Sequence, residues 1–95
     1  MPVLFVIEDE AHAEQCSEHT TLAEAVDRLK QLSVLPWDAE PNLAPCTSWK
    51  TCGRRYEIIE YDTTSLPWKE RRRIPALEIN AKGVHWESDF ATRYA

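Results

Sequence analysis

Glycine is scarce in this chain, whose 95 residues include only Gly53 and Gly83. A glycine-rich phosphate loop or a dinucleotide-binding fingerprint needs several glycines within one short turn, so two isolated glycines exclude both. The sequence also has no serine nucleophile elbow, no His-Glu-x-x-His and no EF-hand loop. We therefore expect a domain that works without a cofactor. The sequence contains no catalytic motif of these kinds that would support an enzyme.

Long apolar runs are missing as well. No uninterrupted apolar stretch approaches the roughly 20 residues that a membrane-spanning helix needs, which argues against a membrane protein. The first residues lack the basic segment and small-residue cleavage site of a secretory signal. Three cysteines, an odd number, suit a reducing compartment. These features predict one small cytoplasmic domain that spans residues 1–95.

Basic residues are absent from the first 27 positions, which hold seven acidic residues. The remaining residues carry nine acids and eleven bases, so the net charge of −5 hides an acidic beginning and a slightly basic remainder. Such asymmetry can mark a charged binding surface. A solvated acidic face is the more ordinary interpretation.

One helix is clearly encoded, over residues 21–33. Thr21 and Glu24 form a capping box, in which each side chain can bond the backbone amide of the other residue. An apolar stripe at helical spacing follows, made of Leu22, Ala25, Val26, Leu29 and Leu32. Pro36 then limits how far the helix can continue.

Strands are predicted on both sides of this helix. They comprise residues 3–7, a second strand within residues 11–18 that returns as a hairpin, residues 54–62, and a hairpin of residues 76–80 and 84–86. Residues 89–95 read as a short helix or a tail. The order β-β-α-β-β-β predicts an α+β two-layer sandwich, with a mostly antiparallel sheet of about five strands covered on one face by the main helix.

The two connections without predicted regular structure, residues 34–53 and 63–73, carry most of the tryptophan. A tryptophan in a loop is a favoured anchor at protein interfaces, although the indoles could instead complete a small core. We therefore predict a non-enzymatic module that binds a protein partner, or a second copy of itself, through Trp37, Trp49, Trp68, Arg71, Arg72 and Arg73. The arginines could also pair with the acidic N-terminal region, within the chain or across a homodimer.

Three other sites compete with this prediction. The basic and aromatic segment 68–73 suits single-stranded nucleic acid, but the net charge of −5 opposes it. His12, Cys16 and His19 could hold a metal if they shared a face. Cys46 and Cys52, with cationic neighbours that favour a thiolate, could serve redox or nucleophilic chemistry.

Overall fold

The computed structural model describes residues 2–44 and 53–94. Within these ranges the elements follow the predicted order, with one further helix at the C-terminal end. They are β1 Val3–Asp9, β2 Glu14–His19, α1 Leu22–Ser33, β3 Arg54–Asp62, β4 Lys69–Asn80, β5 Gly83–Trp86 and α2 Ser88–Tyr94. No helix in the described ranges is long and apolar enough to cross a membrane.

The five strands form one sheet in the order β2-β1-β3-β4-β5, and every neighbouring pair is antiparallel. The predicted α+β class, five-stranded antiparallel sheet and main helix are therefore confirmed. Two hairpins, β1–β2 and β4–β5, form the ends of the sheet, and β1 pairs with β3 at its centre. This order leaves β2 at one edge and the β4–β5 hairpin at the other.

Helix α1 forms for the reasons that its sequence indicates. The Thr21 hydroxyl accepts a hydrogen bond from the Glu24 amide at 3.1 Å, which satisfies one of the amides at the helix N-terminus. The predicted stripe faces the sheet, and its Ala25, Val26, Leu29 and Leu32 are buried. These side chains pack against Ile7, Ile58 and Ile79 of the sheet in one hydrophobic core cluster.

Both helices lie on the same face of the sheet, because Phe90 of α2 belongs to the same core cluster as the α1 residues. On the opposite face, Val6 and Ile59 are directly paired across β1 and β3 and are fully buried. Glu18 and Arg73 flank them in the same row, on β2 and β4. The long side chains of such residues can cover apolar surface while their charges stay in water.

Strand β4 is longer than the sequence predicts. The prediction gave residues 63–73 no regular structure and began a strand at residue 76, whereas β4 starts at Lys69. Lysine, glutamate and arginine have little intrinsic preference for strands, but sheet context overrides that preference. Here the basic residues pair along β3, where Arg72 lies opposite Glu60 and Lys69 opposite Asp62.

Candidate functional site

The outer edge of β4, defined here as residues 69–74, is the first part of the candidate site. Strand β5 pairs only with the end of β4, from Leu77 to Asn80, and the Glu87 amide then bonds the Ala76 carbonyl at 2.8 Å. Among the described residues no strand lies beside residues 69–74 on this side. Every second residue of a strand directs its backbone N–H and C=O to the same side, so this edge presents hydrogen-bonding groups to an incoming chain.

A cleft of about 270 Å³ runs along this edge, between β4 and α2. Ile74, Phe90 and Tyr94 provide apolar lining, and Arg72 and Arg93 are among the charged lining residues. Helix α2 is held in place by aromatic packing. The ring centroid of Phe90 lies 5.7 Å from that of Trp86 and 4.9 Å from that of Tyr94. Helix α2 is therefore a fixed element beside the unpaired edge of β4.

The predicted arginine cluster lies on this edge, in a strand rather than a loop. Arg72 donates from Nε to Glu60 at 2.8 Å, and Arg71 Nη1 lies 3.4 Å from the same carboxylate. Both reach Glu60 because the β3–β4 register shifts between Glu60 and Tyr61, which leaves Arg71 as the extra residue of a bulge. The three arginine side chains remain 42–49% exposed.

Arg73 joins two carboxylates on the face opposite α1 and α2. It donates to Glu57 through Nη1 and to Glu70 through Nη2, the latter at 2.7 Å. Burial raises the pKa of Glu57, and Arg73 opposes that shift. Within the described residues, all the ion-pair partners of the three arginines come from β3 and β4 rather than from the acidic N-terminal region.

The predicted tryptophans separate into two groups. Trp68 precedes β4 directly, is half-buried, and lies with its ring centroid 5.8 Å from that of Tyr61. Leu66, two residues earlier in the chain, is 88% exposed, so an exposed apolar side chain lies just before the β4 edge. Trp37 instead packs against the core cluster, which is the alternative role that the sequence left open. Trp49 lies outside the described residues.

A second polar cluster lies on the helix-covered face, around Asp9. Its Oδ2 accepts from His12 Nδ1 at 2.6 Å and from Arg54 Nη1 at 3.0 Å, while Oδ1 accepts from the backbone amides of Ala11 and Arg55. Burial alone would raise the pKa of Asp9, but these hydrogen bonds lower it. An ionised carboxylate only accepts hydrogen bonds, so the His12 ring must carry a proton on Nδ1 to donate to Asp9.

Arg54 links this carboxylate to the segment after α1. Its Nε donates to the Asn42 carbonyl at 3.3 Å and its Nη2 to the Leu43 carbonyl at 2.7 Å. The Asn42 amide in turn donates to the Leu32 carbonyl at 3.0 Å, within the last turn of α1. All three guanidinium nitrogens of Arg54 donate within the fold, so this cluster fastens the segment after α1 to the sheet.

The three proposed metal ligands are not brought together. His12 lies in the turn before β2 and bonds Asp9, whereas His19 ends β2 and bonds the Ser17 hydroxyl at 2.8 Å. The described ranges contain no group of three or more side chains arranged to hold a metal ion. The shared face that a metal site would need does not form, because residues 14–19 are a strand rather than a helix and His12 lies before that strand.

The thiols give little support to nucleophilic chemistry in the described part of the chain. Cys16 is exposed as a residue, but desolvation of its sulfur raises the pKa of the thiol, which disfavours the reactive thiolate. Cys46 and Cys52 lie outside the described residues.

Sequence reasoning missed the glutamates and aromatic residues that complete the β4 edge. Glu60 could have been found by treating residues 69–75 as a strand opposite β3, which places it across from Arg72, whereas Glu57 lies opposite Pro75 and reaches Arg73 diagonally. Comparisons with protein families, curated proteins and solved structures find no match for this chain.

Proposed function

We propose that this protein is a non-enzymatic binding module that receives an extended, acidic protein segment as an added strand on the outer edge of β4. The observation that carries the proposal is the backbone of residues 69–74, beside which the described residues supply no partner strand. Strand addition obtains its affinity from main-chain hydrogen bonds and its specificity from the pockets that alternate side chains enter. The cleft against α2 offers such a pocket.

The charges of the edge support an acidic segment. Residues 69–74 contain Lys69, three arginines and one acid, Glu70. Glu57 and Glu60 neutralise part of this charge from β3, yet the guanidinium groups keep large exposed fractions. Arginine carries five N–H donors in a planar fork, so one that bonds a single carboxylate oxygen can still bond a second carboxylate.

The ion pairs favour a protein partner over single-stranded nucleic acid. A nucleic-acid groove uses many cations along the phosphate backbone together with aromatic faces for base stacking. Here Glu57, Glu60 and Glu70 stand among the arginines, and they would repel a polyanion. A segment with a few carboxylates among uncharged side chains suits this mixed surface better.

A synthetic peptide provides the test. The probe is a capped eight-residue peptide of alternating glutamate and valine, titrated into the protein and followed by amide NMR shifts. We expect shifts at residues 69–74, and affinity that falls at least tenfold in the variant R71Q/R72Q. R28Q is the matched control, because Arg28 lies on α1 and bonds Gln31.

Two further peptides separate strand addition from simple charge attraction. One has the same charges but methylated amides at alternate positions, which removes its hydrogen-bond donors along one side. The other replaces each glutamate with lysine. Equal binding of the methylated peptide, or shifts that lie away from β4, would contradict the proposal.

A further inference from the structure

We infer that the strand received by the β4 edge is β2 of a second copy of this chain, so that copies associate head to tail. This inference rests on the proposed function and names the partner of the same site. Strand β2 is the other end strand of the sheet, and within the described ranges it pairs only with β1. Its outer side therefore offers backbone groups to a neighbour, as the β4 edge does.

The two edges are opposite in charge. Residues Glu14–His19 contain two glutamates and no lysine or arginine, whereas residues 69–74 contain four cations and one acid. Glu14 is already paired with Arg54 of its own chain, so Glu18 carries most of the acidic character of the β2 edge. Glu18 is exposed, and it lies on the face opposite α1 and α2, where it is paired with Val6. Opposite charges on adjacent strands stabilise a pair, and like charges directly opposite destabilise it.

This charge pattern selects one kind of contact between copies. Two β4 edges would bring two basic segments together, and two β2 edges would bring two acidic segments together, so symmetric pairing is opposed in both cases. Only β2 against β4 is attractive. Such a heterologous contact leaves one β2 edge and one β4 edge available at the ends, so a third copy can add in the same way.

The size of the contact predicts weak association. Both edges are six residues long, so each contact spans about 20 Å. A single strand pair of this length falls below the area of a standard stable interface. We expect dissociation constants of about 10–1,000 µM, which correspond to about 4–7 kcal/mol of binding free energy. Added salt should weaken the association, because exposed charges are screened.

The decisive experiment uses complementary variants in sedimentation velocity at protein concentrations of about 0.05–1 mM. Wild-type protein should show an average mass that rises with concentration beyond that of a dimer. E18K and R72E each damage one of the two edges, so each alone should stay close to monomeric. An equimolar mixture should associate more strongly than either variant alone at the same total concentration, because the E18K copy keeps an intact β4 edge and the R72E copy keeps an intact β2 edge.

The outcomes distinguish this inference from the proposed function. Monomeric wild-type protein that still binds the acidic peptide would overturn head-to-tail association and leave strand capture standing. Association of E18K as strong as that of wild type would also overturn the inference. Failure of the peptide to bind would refute the proposed function instead. Circular dichroism checks that each variant folds, and the milder E18Q and R72Q replace any that does not.

Discussion

Replacing Arg54 with methionine tests whether the buried polar cluster holds the fold together. The Arg54 side chain is 6% exposed and the Asp9 side chain is fully buried, with 3.0 Å between Nη1 and Oδ2. In R54M the Asp9 carboxylate stays buried without its cationic partner, and the carbonyls of Asn42 and Leu43 lose their donors. Removing one partner of a buried ion pair typically costs about 3–5 kcal/mol.

That loss is large for a chain of this size. At about 0.05–0.15 kcal/mol per residue, a 95-residue domain has an unfolding free energy of about 5–14 kcal/mol. The additional contact of Arg54 with Glu14 adds little, because the Glu14 side chain is 47% exposed. We therefore expect R54M to lose about 3–5 kcal/mol and at least about 12 °C in melting temperature.

Urea unfolding followed by circular dichroism measures this loss, and the neighbouring residue supplies the control. Arg55 is 56% exposed, and its ion pairs with Glu10 and Glu78 are long, at 3.8 and 3.5 Å. R55M should change the unfolding free energy by no more than about 1 kcal/mol. A loss below about 1 kcal/mol in R54M, with an unchanged dependence on urea, would refute the structural role of this pair.

Three further outcomes are expected. The pKa of Asp9 is lowered in the folded state, so the ionised carboxylate stabilises the fold at pH values above its unfolded pKa of 3.8. This stabilisation disappears as the pH falls through the folded pKa. The difference in urea midpoint between wild type and D9N should therefore shrink below about pH 3.8. Gly53→Ala should destabilise the protein by about 1–3 kcal/mol in the same unfolding assay, because a Cβ there would overlap the Ile79 carbonyl and Asn80. Trp68→Ala should weaken binding of the acidic peptide about tenfold with a small change in melting temperature, whereas Trp37→Ala should lower the melting temperature and leave peptide affinity unchanged.

The elements with strong local signals could be predicted from the sequence. Helix α1 has both a cap at Thr21 and a regular apolar stripe, and strand β3 has an apolar centre at Ile58 and Ile59. The N-terminal part of β4 has neither, since its residues are charged and its structure depends on pairing with β3. The local residue pattern of residues 69–73 does not reveal this pairing, so the sequence indicated a link without regular structure where a strand forms.

The candidate site divides in the same way. Trp68 and the arginines could be singled out because aromatic and basic residues stand together in the sequence. The role of Asp9 could not, because its partners Arg54 and Arg55 follow it by more than 40 positions. Bulges add to the difficulty, since the register shifts at Cys16, Arg71 and Ala76 change which side chains share a face.

The sheet order gives the charge asymmetry of the chain a spatial meaning. Alternating antiparallel strands place β2, from the acidic N-terminal region, at one end of the sheet, and the basic part of β4 near the other. The strands between them neutralise charge locally, as Glu57 and Glu60 do for the arginines. A uniformly acidic protein would repel copies of itself, whereas the inferred association of this chain would depend on the orientation of the two copies. Under the proposed strand capture, this charge distribution would admit an acidic strand at β4 and reject another β4 edge.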